Sequence, residues 1–194
     1  LYMISKSKFE LIRNKYSEFC SWAIWADEGS KPKDNVGDIS IFDISENPET
    51  LSIIKPNVVL VGLNISGPLT TPLANFHSSS PSAQDYKLRY ALKGSPFWGG
   101  YLTDIIKDFE EKVSKNMMTY LNKNESFEAD NIELFNKELN DLEVDDPTII
   151  ALGRDSHNIL NRNFKDKYKI HHIPHYSHFM SKENYKLKVE ALYK

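Results

Sequence analysis

Four short segments along the chain predict strands, and two of them are apolar runs typical of strands that are buried on both faces of a sheet. The clearest lies in residues 57–62, where four consecutive valines and leucines lead into Gly62. This is the pattern of central strands in parallel sheets. Residues 147–152 form a similar run, and residues 97–103 and 168–173 are further candidate strands. A weaker alternating run at residues 39–44 predicts a short edge strand or one arm of a hairpin.

Apolar residues recur at helical spacing in the segments between these runs. The spacing predicts helices over residues 8–26, 105–117, 132–142 and 155–164, and a closing helix over residues 181–193. Asp155 or Ser156 is suited to cap the fourth helix, and Ser181 is suited to cap the last. The connection over residues 64–96 is rich in Ser, Pro and Thr, which is typical of a functional or disordered loop.

The alternation of strands and helices predicts the fold class. We expect an α/β fold, a three-layer α/β/α sandwich with a central, mainly parallel four-stranded sheet. A chain of 194 residues fits a single domain, with residues 1–45 forming an N-terminal helix and loop packed on it. Ligands bind beyond the carboxyl ends of the strands in such folds. The loops after Gly62, around Asp104 and after Ile173 should therefore meet at one site.

Composition and charge narrow the possible partners. The net charge is -3, whereas proteins that hold long stretches of DNA are usually basic. A nucleic-acid substrate is therefore expected to be short, single-stranded or distorted. The single cysteine, Cys20, favours a reducing compartment, and no apolar run approaches the roughly 20 residues that span a bilayer. We expect a cytoplasmic protein without a membrane segment, in which Cys20 is a buried apolar residue rather than a reactive thiol.

Three segments at these loops carry side chains that could bind a ligand or take part in a reaction. Asn64 follows the first strand, where its amide could hold a water or a substrate, although an ordinary strand-exit turn also explains it. Phe76 lies among polar residues and could stack on a base or anchor its loop. Asp104 could either cap a helix or project into the site.

The fourth segment holds four histidines within residues 171–178, out of 6 in the chain. Because His171 and His172 are adjacent in a strand, they point to opposite faces and share one ion poorly. Zinc bound by His175, His178 and a carboxylate remains an alternative. A loop of His, Tyr and Ser after a strand favours hydrogen-bond donation to an anionic group, and we expect no metal and no cofactor.

Taken in order, these motifs resemble the uracil-DNA glycosylase superfamily. The resemblance rests on a strand that ends in Gly-Leu-Asn-x-Ser (residues 62–66), a later apolar strand that ends at Gly153, and a last strand that enters His-Tyr-Ser (residues 175–177). It spans roughly residues 57 to 190. Asn64 matches the asparagine form of the first motif, which is found in the mismatch-specific branch. His175 and Ser177 match a His-Pro-Ser motif, with Tyr176 in place of the proline.

The resemblance implies roles for individual residues. The catalytic residues would be Asn64, which positions a water, and His175, which donates a hydrogen bond to the departing base. The base-binding residues would be Phe76, Asp104 or Thr103, and Leu63. The residues that contact DNA phosphates would be Ser66, Gly67, Tyr176 and Ser177. An aspartate at the base-reading position offers the donor and acceptor of an amide only when it is protonated, so a base other than uracil is possible.

The function that follows is cleavage of the N-glycosidic bond of a flipped-out damaged or deaminated base by water attack. The partner would be single-stranded or distorted DNA. The alternative is a non-catalytic relative that binds or senses a nucleic acid or a nucleotide. A small-molecule hydrolase is less favoured because no Gly-x-Ser-x-Gly nucleophile motif occurs. The oligomeric state is open.

Overall fold

The computed structural model describes residues 3–107 and 109–194. Five strands make up its sheet: β1 (Ser21–Trp22), β2 (Lys55–Asn64), β3 (Gly100–Ile106), β4 (Thr148–Leu152) and β5 (Ile170–Ile173). The helices are α1 (Lys6–Tyr16), α2 (Thr50–Ile53), α3 (Asp85–Leu92), α4 (Ser114–Lys123), α5 (Glu125–Leu142), α6 (Arg154–Phe164) and α7 (Lys182–Glu190). Within the described residues, no helix is both long enough and apolar enough to cross a membrane.

The sheet has the strand order β1-β3-β2-β4-β5. Strand β2 lies at its centre and pairs in parallel with β3 and β4, and β4 pairs in parallel with β5. Only β1 runs antiparallel, against β3. The prediction of an α/β fold with a mainly parallel sheet is confirmed, and each of the four predicted strands corresponds to one of β2 to β5.

Helices cover both faces of the sheet, an arrangement consistent with an α/β/α sandwich. Val59 and Val61 of β2 join the apolar cluster under α1, α4, α5 and α6. Val58 and Leu60 join the other cluster, under α3 and α7. Successive side chains of a strand point to opposite faces. The unbroken apolar sequence of β2 therefore supplies both layers at once.

The sheet has five strands rather than the predicted four, because the first predicted helix is too long. Helix α1 ends at Tyr16, whose carbonyl accepts hydrogen bonds from the backbone of Phe19 and Cys20 as the chain turns. Ser21 and Trp22 then pair with β3. Trp22 is fully buried, with its ring centroid 5.2 Å from that of Tyr101. Tertiary packing of this aromatic side chain outweighs the helical periodicity of the segment. Cys20 is buried, as predicted.

Two further predictions of local structure are wrong. Residues 39–44 contain a short 3-10 helix, Ser40–Phe42, since Asp38 accepts hydrogen bonds from Ser40 and turns the chain. Residues 105 and 106 complete β3, so the predicted helix over 105–117 begins only at Ser114. Apolar spacing cannot separate a fully buried strand from a helix. Residue 108 of that helix and residues 1 and 2 of the N-terminal segment lie outside the described residues.

The helix caps and the long connection also differ from expectation. Helix α6 begins after Gly153 without a side-chain cap, and the hydroxyl of Ser156 instead donates to the carbonyl of Val61 at 2.7 Å. Ser181 caps α7, as predicted, by accepting from the backbone N–H of Asn184. The long connection over residues 64–96 contains α3, which was not predicted.

A buried ion pair joins β3 to α5. The Lys107 ammonium lies 2.5 Å from Oε1 of Glu138, and both side chains are fully buried. Oε2 of Glu138 accepts hydrogen bonds from the Tyr101 hydroxyl at 2.5 Å and from the Thr103 hydroxyl at 2.8 Å. Lys107 also donates to the backbone carbonyl of Asp104. Each charge is thus compensated by its partner, and either one alone would be costly to bury.

Replacing one member of this pair should destabilise the fold strongly. The substitution Glu138→Ala leaves the Lys107 ammonium buried without a counter-charge and should cost about 3–5 kcal/mol of unfolding free energy. Chemical denaturation would measure this loss. The matched control is Glu133→Ala in the exposed pair with Lys137, which should cost less than about 1 kcal/mol. Equal effects of the two substitutions would contradict the assigned role of the buried pair.

Candidate active site

A cavity of about 350 Å³ lies at the carboxyl ends of the parallel strands. The end of β2, the loop around Asn75, the end of β4, the start of α6 and the loop after β5 all contribute to its lining. Of the residues predicted to form a site, eight line this cavity: Leu63, Asn64, Ser66, Phe76, Asp104, His175, Tyr176 and Ser177. Loops far apart in sequence therefore meet where the fold prediction placed a site.

Two of the predicted residues do not reach the cavity. Thr103 is fully buried on the other face of the sheet, where its hydroxyl donates to Glu138. It precedes Asp104 in β3, and adjacent strand residues point to opposite faces, so only one of them can line the cavity. Gly67 lies outside the lining, and a Cβ atom built on it would meet nothing within 4 Å. The chain leaves the cavity after Ser66.

The side chain of Asn64 is held in one orientation by three backbone carbonyls. Its Nδ2 donates to the carbonyls of Ile65 at 2.9 Å, Phe109 at 3.1 Å and Glu111 at 2.9 Å. An oxygen in that place would be repelled by all three, so the amide cannot be flipped. Its Oδ1 makes no hydrogen bond within the described residues and is left as an acceptor on a residue that lines the cavity. This side chain is suited to orient a water molecule.

The ring of His175 presents a single donor. The backbone N–H of Ser177 donates to its Nδ1 at 3.1 Å, and the Ser177 hydroxyl lies 2.7 Å from the same atom. A backbone N–H can only donate, so Nδ1 carries a lone pair and Nε2 carries the proton. Burial lowers the pKa of His175 to about 4. The ring is therefore neutral at physiological pH and can donate from Nε2 to a developing anion.

Two aromatic side chains form an apolar wall of the cavity. Phe76 adopts a left-handed backbone conformation, with φ of 65°, and is only 5% exposed. Its ring lies edge-on to that of Tyr176, with the centroids 6.3 Å apart, and Tyr176 stacks on His175 at 4.1 Å. The Trp25 indole donates to the carbonyl of Phe76 at 3.0 Å. Phe76 thus both anchors its loop and lines the cavity, while its stacking on a base stays a prediction.

The carboxyl group of Asp104 lies at the buried end of the cavity. Gly62 is its register partner on β2, and a Cβ atom on Gly62 would lie 2.3 Å from Asp104 Oδ1 and 3.3 Å from the Phe76 ring. Asp104 lies inside β3 and caps no helix, so of its two proposed roles the structure supports projection into the site. Burial raises its pKa to about 7, against the lowering effects of the Asn75 hydrogen bond and of Lys107.

Sequence reasoning missed the polar rim of the cavity. The uncapped start of α6 faces it through Gly153, Arg154 and Asp155, and Lys112 lines the opposite side. Within the described residues, neither Arg154 nor Lys112 forms an ion pair. Cations and a free helix N-terminus both favour an anionic group. In the sequence, the only indication of this rim is that Gly153 and Arg154 directly follow a buried strand.

Metal binding has no support in the side-chain arrangement. Across residues 3–107 and 109–194, no three His, Cys, Asp or Glu side chains lie close enough together to hold an ion. His157 and His172 stack at 4.7 Å between ring centroids, away from the cavity lining. Of the histidines in residues 171–178, His172 therefore stacks on His157, whereas His175 lines the cavity.

The chain matches no protein-family model, no curated protein and no solved structure. The resemblance to the glycosylase superfamily thus rests on the order of the motifs.

The Gly62 position offers a direct test of the cavity geometry. The substitution Gly62→Ala should displace the Asp104 carboxyl and the Phe76 ring, and it should cost about 1–3 kcal/mol of unfolding free energy. Thermal denaturation would measure the loss. Gly67→Ala is the matched control, since its new methyl group meets nothing within 4 Å. An unchanged melting temperature for Gly62→Ala would show that Asp104 does not occupy the assigned position.

The protonation state of His175 is open to direct measurement. The ring ¹⁵N shifts should report a neutral ring with the proton on Nε2 at all pH values above about 5, because burial lowers the pKa to about 4. Below the native pKa, protonation would force Nδ1 to lose the hydrogen bond from Ser177. A titration midpoint near the model-peptide value of about 6.5 would contradict this assignment.

Proposed function

We propose that the protein hydrolyses the N-glycosidic bond of a damaged or deaminated base that has left the DNA stack. The observation that carries the proposal is the pairing of two neutral polar groups in one cavity. Asn64 presents an acceptor oxygen from the end of β2, and His175 presents an N–H donor from the loop after β5. Bond cleavage of this kind needs a positioned water and a donor for the leaving base.

The reaction assigns each group a separate task. The bond between the base nitrogen and C1′ of the sugar breaks, and the base leaves with the electron pair. The Nε2–H of His175 would stabilise the resulting anion, a contribution worth about 3 kcal/mol for one such donor. Asn64 would orient the water that bonds to C1′, and the proton of that water passes to the departed base or to solvent. No covalent enzyme intermediate is required.

The remaining lining supports binding of an extruded nucleotide. Phe76 and Tyr176 offer aromatic surface to a base, and stacking offsets part of the cost of removing it from the duplex. Ser66, Ser177, Arg154 and the start of α6 would contact the flanking phosphates. Beyond the cavity, Phe179 is fully exposed in the same loop as His175 and could stack on a neighbouring base.

Charge favours a local contact with nucleic acid rather than a long one. The net charge is -3, and Glu111 and Asp155 line the cavity alongside its two cations. Extended duplex binding depends on many phosphate contacts. The proposed substrate is therefore single-stranded or distorted DNA, in which a base is already partly free.

The charge distribution also supports a second candidate, a relative that binds a nucleotide or nucleic acid without cleaving it. Asn64 brings no negative charge to stabilise the cationic sugar of the transition state, so the water is positioned but only weakly activated. The same cavity would then serve recognition alone. Measuring binding and turnover side by side separates these two functions.

Base release from oligonucleotides tests the catalytic proposal. Single-stranded and mismatched DNA carrying uracil, hypoxanthine or xanthine should lose the base, with a rate about 100-fold to 1000-fold lower for His175→Ala. Asn64→Ala should slow release by at least about tenfold. His178→Ala is the matched control in the same loop, because His178 does not line the cavity. Binding of DNA by the folded parent without any base release would favour the recognition function.

A further inference from the structure

Asn75 determines which oxygen of Asp104 is available in the cavity. Its Nδ2 donates to Asp104 Oδ2 at 2.8 Å and to the carbonyl of Phe19 at 2.7 Å, and its Oδ1 accepts from the backbone N–H of Phe76. Both amide hydrogens are therefore committed, and the amide cannot be flipped. Asp104 Oδ2 must act as an acceptor, whether the carboxyl group is ionised or protonated.

The other carboxyl oxygen is free for a ligand. Oδ1 of Asp104 has no hydrogen-bond partner within the described residues, although the side chain is only 3% exposed. It is also not among the fully enclosed polar atoms that lack a hydrogen bond in that part of the chain. Oδ1 thus remains accessible from the cavity, over the space that Gly62 leaves open.

We propose that Asp104 is the specificity-determining residue of the cavity and that Asn75 positions it, so that a single oxygen reads the edge of the bound base. When ionised, Oδ1 accepts an N–H from a base that carries an amino group. When protonated, Oδ1 carries the proton, because Oδ2 must accept from Asn75, and it then donates to a base carbonyl. This inference rests on the proposed base-binding role of the cavity.

The groups around Asp104 bring the protonation of its carboxyl group into the range around pH 7. Burial raises the pKa of Asp104 to about 7, and the Asn75 hydrogen bond and the Lys107 ammonium lower it, while Glu138 raises it. Across the cavity, burial lowers the pKa of His175 to about 4 and raises the pKa of Tyr176 well above its usual value. Both of those groups are therefore neutral near pH 7. Near pH 7, the carboxyl group of Asp104 changes from an acceptor to a donor as it is protonated.

Free cytosine and uracil form a matched pair of probes. Cytosine presents an amino group where uracil presents a carbonyl, and neither free base can be turned over. Dissociation constants would be measured by NMR titration between about pH 5.5 and about pH 8.5. Cytosine should bind better as the pH rises and uracil as it falls. The ratio of the two constants should change by about tenfold per pH unit around neutrality if each base binds one form.

Two variants separate this role from a structural one. In Asp104→Asn, the oxygen must again face Asn75, so the amide nitrogen should face the ligand and uracil should be preferred at every pH. Asn75→Ala removes a hydrogen bond that lowers the pKa of Asp104, so the pH at which the two bases bind equally well should rise.

The matched control is Asp85→Asn. Burial raises the pKa of Asp85 to about 6, and its carboxyl bonds to Tyr176 from outside the cavity lining. The pH slope should persist in this variant, because Asp104 rather than Asp85 carries it.

The outcomes distinguish this inference from the proposed reaction. A ratio that is independent of pH in the parent, or no binding of either base by the folded protein, would overturn it. A slope that survives in Asp104→Asn would also overturn it. A pH-dependent ratio without base release from any oligonucleotide would support the inference and would contradict only the catalytic function.

Discussion

The Asp104 carboxyl occupies the space where a side chain on Gly62 would lie. The architecture of the cavity depends on this close approach of Asp104 to Gly62. The parallel register of β2 and β3 places the two residues side by side. Because Gly62 has no Cβ atom, the Phe76 ring can also lie over this position. Asn75 then reaches Asp104, and the loop between β2 and α3 is tied to the sheet. A parallel ladder with a larger residue at position 62 would close this space.

The opposite face of β3 supplies the rigidity that this arrangement requires. Lys107 and Glu138 form their ion pair under the sheet, and Lys107 reaches back to the carbonyl of Asp104. Thr103 joins that network, so adjacent residues of one strand serve stability on one side and the cavity on the other. The charged groups are thus kept where they compensate each other. In the cavity, the two groups of the proposed reaction, Asn64 and His175, are neutral, and backbone groups set their orientations.

Much of the sheet and part of the site could be predicted from the sequence, and the errors share a cause. Strands β2 and β4 could be predicted because their continuous apolar runs are typical of buried strands. The sequence predicts a helix around Trp22 because its apolar residues have helical spacing. The strand forms because Trp22 is buried in the core, and a periodic pattern does not contain that contact. The sequence left Asp104 and Thr103 as alternatives for the base-reading position, and the strand geometry allows only Asp104 to line the cavity. Asn75 was passed over because its importance lies in hydrogen bonds to Phe19 and Asp104, both far away in sequence.

By itself the sequence determined the α/β class, the four parallel strands and the loops that meet at their carboxyl ends, because apolar pattern and turn residues are local properties. It also supplied the chemical identities of Asn64 and His175. Only the tertiary structure decided which atoms of these side chains face the cavity. The carbonyl of the neighbouring Ile65 and two carbonyls from the segment after β3 orient the Asn64 amide, and Asn75 selects one oxygen of Asp104. Such choices depend on hydrogen bonds between residues far apart in sequence, which a linear pattern does not encode.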